Sequence, residues 1–189
     1  MFLYVKEIVM ANNVTTRIAF VCNEQAMKLV NQWFDKMNND AHASVTTLFD
    51  VAEEDLTWDW MLENIGSKWC YADQMWENCL HLVSAWDWPQ QFVQWMADEI
   101  ITIDPDARVE VEYEDESPNF VGYHLFNAVG CGVGASIDSD HIEALIRREV
   151  PALEELEVDS DEYSDMLWEN SWDTCHNWQE RGLDILVGR

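Results

Sequence analysis

The order of apolar and polar residues predicts strands and helices in succession along the chain. Residues 14–22 are apolar and β-branched, which is typical of a strand. Apolar residues then recur at helical spacing over 24–38, and Asn23 precedes them as a suitable N-cap. A second amphipathic helix is predicted over 89–101, where Pro89 suits the first helical turn.

Three further segments have the patterns of strands. Residues 74–84 alternate, with His81 expected to be half-buried among them, and 108–114 alternate between charged and apolar side chains. Residues 120–126 return as a strand after the turn at 115–119. The resulting order, β-α-(insert)-β-α-β-β, predicts an α+β fold with a ferredoxin-like antiparallel sheet and both helices on one face. Its core is expected to contain Trp33, Phe34, Trp86, Phe92 and Met96.

Two acidic regions depart from this compact pattern. Residues 1–130 are interpreted as the ferredoxin-like domain, with an acidic insert at 40–65 in which a short helix turns its tryptophans inward. Residues 131–189 are interpreted as an acidic helical extension, entered through a flexible glycine-rich hinge at 130–134. Two helices are predicted in the extension, the second over 161–180 and aromatic on its packed side.

The charge composition is the most informative feature for function. The 189 residues contain 37 Asp and Glu against 10 Lys and Arg, a formal net charge of −27, whereas 48% hydrophobic residues suffice for a core. Such a surface repels nucleic acid and anionic membrane, and it attracts basic surfaces, of which nucleic-acid-binding proteins are the richest source. The alternative is that the charge serves solubility alone.

The sequence offers little for catalysis or for cofactors. Its five cysteines are widely spaced, without a CxxC pair or zinc-ligand spacing, and we expect them to be reduced. The glycines of 130–134 lack the Lys-Ser/Thr of a phosphate loop, and the acidic run from Asp159 lacks the glycine and final glutamate of a calcium loop. No nucleophile arrangement can be argued. We therefore expect no enzyme, no cofactor and no metal site. With neither a signal peptide nor a membrane span evident, we expect a cytoplasmic protein.

Three motifs in order carry a resemblance to a known family. They are Gly66-x-Lys68-Trp69-x-x-x-Asp73, Ser84-Ala85-Trp86-x-x-Pro89 and Tyr113-x-Asp115-Glu116-x-x-x-Phe120-x-Gly122. Together they resemble the YubB ferredoxin-like domain family of phage- and plasmid-encoded small proteins, over roughly residues 10–128. The resemblance implies the fold and a mobile-element setting in a bacterial host, but no catalytic activity. In this interpretation Trp69 and Trp86 are buried residues that fill the core, Pro89 starts a helix and Gly122 permits close packing.

The densest carboxylates lie in the extension. Residues 149–180 contain eleven of them and no Lys or Arg. If residues 154–169 were largely helical, their eight carboxylates would be spaced about 3 Å apart along the axis, close to the 3.4 Å of phosphates along one DNA strand. The absence of lysines that would form i,i+4 pairs favours a functional charge over a merely solvated face.

The favoured hypothesis is therefore an acidic phage-type inhibitor or decoy. It would bind a basic, nucleic-acid-binding surface of a host protein, for instance in a defence system, as a DNA mimic. The partner-binding residues expected are those of the insert and extension: Glu53, Glu54, Asp55, Asp59, Glu154, Glu155, Glu157, Asp159, Asp161, Glu162 and Asp165. One alternative is an assembly module that binds another protein through exposed tryptophans, and another is a small enzyme of unknown chemistry. Salt should weaken a charge-driven complex steeply and a tryptophan-anchored one little.

Overall fold

The computed structural model describes residues 12–40, 42–117, 119–158 and 160–189. Its six strands are β1 (Asn13–Val21), β2 (Cys70–Trp76), β3 (Cys79–Ala85), β4 (Arg108–Asp115), β5 (Phe120–Asn127) and β6 (Gly130–Asp138). Its α-helices are α1 (Glu24–Asn38), α2 (Trp58–Asn64), α3 (Gln90–Ile103), α4 (Ser139–Glu149) and α5 (Asp161–Val187). Short 3₁₀ turns occupy Val45–Leu48, Glu53–Asp55 and Pro151–Glu155.

The sheet confirms the predicted fold class. It is antiparallel throughout, with the order β2-β3-β1-β4-β5-β6. Its first four strands, with α1 and α3 as the crossovers, have the β-α-β-β-α-β arrangement of a ferredoxin-like domain. Strands β5 and β6 widen this sheet, so the extension contributes an edge strand to it.

Two predictions about the sheet were wrong. Residues 74–84 are a hairpin of β2 and β3, because Glu77 adopts a left-handed φ of 47° and the Asn78 amide donates to the carbonyl oxygen of Phe20. Its Glu-Asn turn lacks the Asn-Gly or Asp-Gly signature by which hairpins are recognised. The expected hinge at 130–134 is the first half of β6. A Cβ at Gly134 would collide with the backbone of Tyr123 on β5, so that glycine serves close strand packing.

Helices α1 and α3 share one face of the sheet, as predicted. Asn23 caps α1 by accepting from the backbone N–H groups of Gln25 and Ala26. The two helices meet through Trp33 and Trp95, whose ring centres lie 5.2 Å apart. Of the five expected core residues, four are buried here, and Trp86 is not.

The extension packs on the opposite face of the sheet. Val121 of β5 joins a second buried cluster with residues of α4 and α5, including Ile146 and Cys175. Helix α5 is also fixed by Gln179, whose amide donates to the carbonyl oxygens of Tyr113 and Gly122 at 3.0 Å each. The sheet therefore lies between two helical layers. Among the residues that the structure describes, no helix is long and apolar enough to span a membrane.

Candidate protein-binding surface

The structure separates the predicted partner-binding residues into two places. Each of them that the structure describes is exposed, whereas Asp159 lies outside the described residues. The insert packs against the core of the α1 and α3 layer, and it is tied by a bridge at Ser44 to β2, one edge of the sheet. The extension packs on the other face, over β5 and β6 at the opposite edge. Because five strand spacings of about 4.8 Å separate these edges, the two groups do not form one continuous surface.

The carboxylates of α5 form a ridge along one side of the helix, interrupted between Asp173 and Glu180. We call acidic ridge the seven exposed residues Asp161, Glu162, Asp165, Glu169, Asp173, Glu180 and Asp184. At 3.6 residues per turn they fall within roughly 140° of the helix circumference; this side faces away from the buried residues in the first part of α5, but near its end it also carries the buried Gln179 and Leu183. The span 154–169 is not helical throughout, however: residues 151–155 form a 3₁₀ turn, and α5 begins only at Asp161. Charges four residues apart along α5 are about 6 Å apart along the axis. The linear charge density is therefore only about half that of the phosphates along one DNA strand, to which it was expected to be similar.

The first five members of the acidic ridge lack ion-pair partners. Its residues Asp161 to Asp173 form no ion pair with any residue in the described part of the chain. In the second half Glu180 lies 3.4 Å from His176, and Asp184 lies 3.1 Å from Arg189. The carboxylates of the acidic ridge without an ion-pair partner therefore all precede Glu180.

A groove separates α5 from the sheet. Its floor carries three glutamates of β4 that point away from the α1 and α3 core, Glu110, Glu112 and Glu114, which we call the β4 row. Two cavities of about 250 and 190 Å³ lie along this groove, and Glu180 and Asp184 of the acidic ridge line the larger one. The ridge and the groove are thus neighbouring parts of one surface.

The members of the β4 row differ in their partners. Glu110 accepts hydrogen bonds from Arg108 at 2.7 Å and from Arg189 at 3.0 Å. Glu112 accepts one from Arg17 at 2.8 Å. Glu114 forms neither a hydrogen bond nor an ion pair with the described residues, and burial raises its pKa, an effect that the nearby His176 opposes only in part. Sequence reasoning did not single out this row, because alternating Glu residues on a strand normally face water.

A third feature is a pair of exposed tryptophans. The rings of Trp58 and Trp86 lie 5.5 Å apart, with the ammonium of Lys68 at 4.5 and 5.0 Å from their centres. Trp86 is 48% exposed and has a φ of +69°, which is rare for a bulky side chain. The prediction that Trp86 is buried and fills the core was therefore wrong.

The core position expected for Trp86 is taken by Trp88. Its ring is buried and stacked on that of Tyr113, with ring centres 4.6 Å apart and planes 4° apart. Trp69 is only half-buried and stacks on Tyr71. The prediction for Gly122 is confirmed, because a Cβ there would collide with the ring of Tyr113. Local spacing alone could not tell which of two tryptophans, two residues apart, points into the core.

Comparison with known proteins identifies no relative. No protein-family model matches the chain, and no curated protein shows significant similarity to it. The resemblance to the YubB family rests on the three motifs and stays a prediction. Among the described residues, no group of three or more His, Cys, Asp or Glu is arranged to hold a metal ion.

Proposed function

We propose that this protein binds a basic, nucleic-acid-binding surface of another protein through the acidic ridge of α5. By occupying that surface it acts as an inhibitor or decoy, in the manner of a phage protein directed against a host defence system. The observation that carries the proposal is the row of exposed carboxylates from Asp161 to Asp173, none of which forms an ion pair with a cation in the described part of the chain. A like-charged row of this kind destabilises an isolated helix, so its presence calls for a reason outside folding.

The energetics favour many weak contacts. An exposed ion pair contributes about 0–1 kcal/mol, so no single ridge residue should dominate the affinity. A net charge of −27 also accelerates encounter with a basic partner, by an amount that falls as salt rises. With charges about 6 Å apart, the ridge resembles a nucleic acid in charge sign and linear order more than in charge density.

The experiment uses two matched triple variants. One reverses Asp165, Glu169 and Asp173 of the ridge to lysine; the control reverses three exposed carboxylates of the α1 and α3 layer and its following turn, Asp35, Glu99 and Asp106. Each protein is immobilised to capture proteins from bacterial lysate, and the main captured protein is identified and purified. Its affinity for each variant is then measured across a salt series. At about 1 kcal/mol lost per reversal, we expect the ridge variant to bind about 100-fold more weakly and the control to change little.

A third triple variant tests the insert separately. Reversing Glu53, Glu54 and Asp55 changes the charge by the same amount on the opposite layer of the molecule. Equal losses in all three variants would show that only net charge matters and would contradict a ridge-specific contact. Decoy action further requires that the partner lose its DNA or RNA when this protein is bound. A partner that holds nucleic acid and this protein together would rule out mimicry.

The second candidate function is protein assembly through exposed tryptophans. It is favoured by Trp86, which the backbone holds half-exposed at a left-handed φ beside Trp58. Strained positions of this kind cluster at functional sites. In this case Trp58→Ala should abolish partner binding, the ridge variant should not, and the affinity should vary little with salt.

A further inference from the structure

The β4 row contains two guanidinium-paired glutamates and one that is unpaired. Glu110 is bound by Arg108 and Arg189, and Glu112 is bound by Arg17. These carboxylates are two residues apart on one strand face, about 6.8 Å from each other. Glu114 is the next member and is also partly buried, and the described chain provides it with no arginine or lysine.

A cavity opens beside Glu114. Its volume is about 190 Å³, and it is lined by Glu112 and Glu114 of β4, Thr15 and Arg17 of β1, His81 of β3 and His176 of α5. His81 contributes a buried Nε2 that has no hydrogen-bond partner in the structure. The cavity therefore combines an uncompensated carboxylate with a threonine hydroxyl, both of which can accept hydrogen bonds from a cationic group, whereas the Nε2 of His81 is shielded from it.

We propose that this cavity binds one arginine side chain of the partner, whose guanidinium completes the β4 row at Glu114. The inference rests on the proposed function, since it names the partner group that enters beside the acidic ridge. Arginine fits better than lysine, because a planar fork of donors can bond a carboxylate and a second acceptor together. The same strand face already binds guanidinium groups at Glu110 and Glu112. A divalent metal fits poorly, since no cluster of three metal-ligating side chains occurs among the described residues.

Two charges next to the cavity set the limits of this binding. Arg17 already neutralises Glu112, so a second guanidinium is attracted mainly by Glu114. His176 of α5 lies close enough to affect Glu114, and it repels the incoming cation when protonated. The raised pKa of Glu114 reflects the cost of keeping a carboxylate charged there, and a bound guanidinium would remove that cost.

The test uses three small probes and no partner protein. N-acetyl-arginine methylamide, its lysine counterpart and the neutral citrulline counterpart are titrated into the full chain at low salt, and backbone amide NMR shifts are followed. We expect the arginine probe to shift amides around Thr15, Glu114 and His176, the lysine probe to bind several-fold more weakly, and the citrulline probe not to bind.

Two variants and one control complete the experiment. Glu114→Gln should weaken the arginine probe at least tenfold, whereas Glu99→Gln, which removes the same charge from the exposed side of α3, should change its affinity less than twofold. His176→Arg should also abolish probe binding, because it offers Glu114 a guanidinium from α5. Unchanged binding in both Glu114→Gln and His176→Arg, or equal binding of arginine and lysine, would overturn the proposal. Since no partner is present, these results are independent of whether the ridge variants lose their captured protein.

Discussion

Replacing Trp86 by alanine and by glycine separates the two contributions that this residue makes to stability. Trp86 is 48% exposed, so about half of the roughly 250 Å² that a tryptophan can bury is covered. At about 25 cal/mol per Å², loss of this contact costs at most about 3 kcal/mol in either variant. The backbone contribution differs, because alanine keeps the left-handed strain at φ +69° and glycine relieves it.

We expect the glycine variant of Trp86 to be more stable than the alanine variant, the reverse of the usual order for these two residues. Left-handed backbone costs an L-residue about 1–2 kcal/mol, so Trp86→Gly should be about 1 kcal/mol more stable than Trp86→Ala. In a domain of this size that difference corresponds to a melting temperature about 2–4 °C higher. Urea denaturation monitored by circular dichroism gives the two free energies of unfolding directly.

Trp58 provides the matched control. It is 45% exposed, contacts Trp86 and the same lysine, and begins helix α2. There alanine should be more stable than glycine by about 0.5–1 kcal/mol, because glycine is unfavourable in a helix. If Trp86→Ala were as stable as Trp86→Gly, the left-handed conformation, and with it the argument for a functional Trp86, would be refuted.

The remaining predictions concern α5 and the β4 row. Gly182→Ala should destabilise the protein by about 1–3 kcal/mol despite the better helix propensity of alanine, because the new Cβ would collide with the ring of Tyr123; an unchanged melting temperature would contradict this packing. Burial raises the pKa of Glu114 above its ordinary 4.5, so the folded state holds that proton more tightly than the unfolded state. Stability is therefore lost as pH rises through this window, and Glu114→Gln should raise the melting temperature at pH 7 by an amount that shrinks toward pH 5. Lysine substitutions at Asp165, Glu169 and Asp173 should leave the folded state no less stable, since they relieve self-repulsion; a lower melting temperature would show that the ridge serves folding.

The sequence by itself determined those helices and strands in which apolar side chains recur at one regular spacing. Buried residues recur at helical spacing in α1 and at every second position in β4, because one side of each element faces the core. The cap at Asn23 and the close packing at Gly122 were likewise predictable from residue type. The large negative charge and its concentration in the extension are also properties of the sequence.

Only the tertiary structure decided which surfaces lie side by side. The insert and the extension are similar in composition, yet they pack on opposite layers because each follows its own apolar face. The choice of Trp88 over Trp86 for the core depends on the ring of Tyr113, which comes from a distant strand.

The isolation of Glu114 has the same origin. Its neighbours Glu110 and Glu112 are neutralised partly by arginines of other elements, Arg189 and Arg17, which reach them only after the sheet has paired and α5 has docked. Pairing register and layer contacts join residues far apart in the chain, and local periodicity carries no record of those partners.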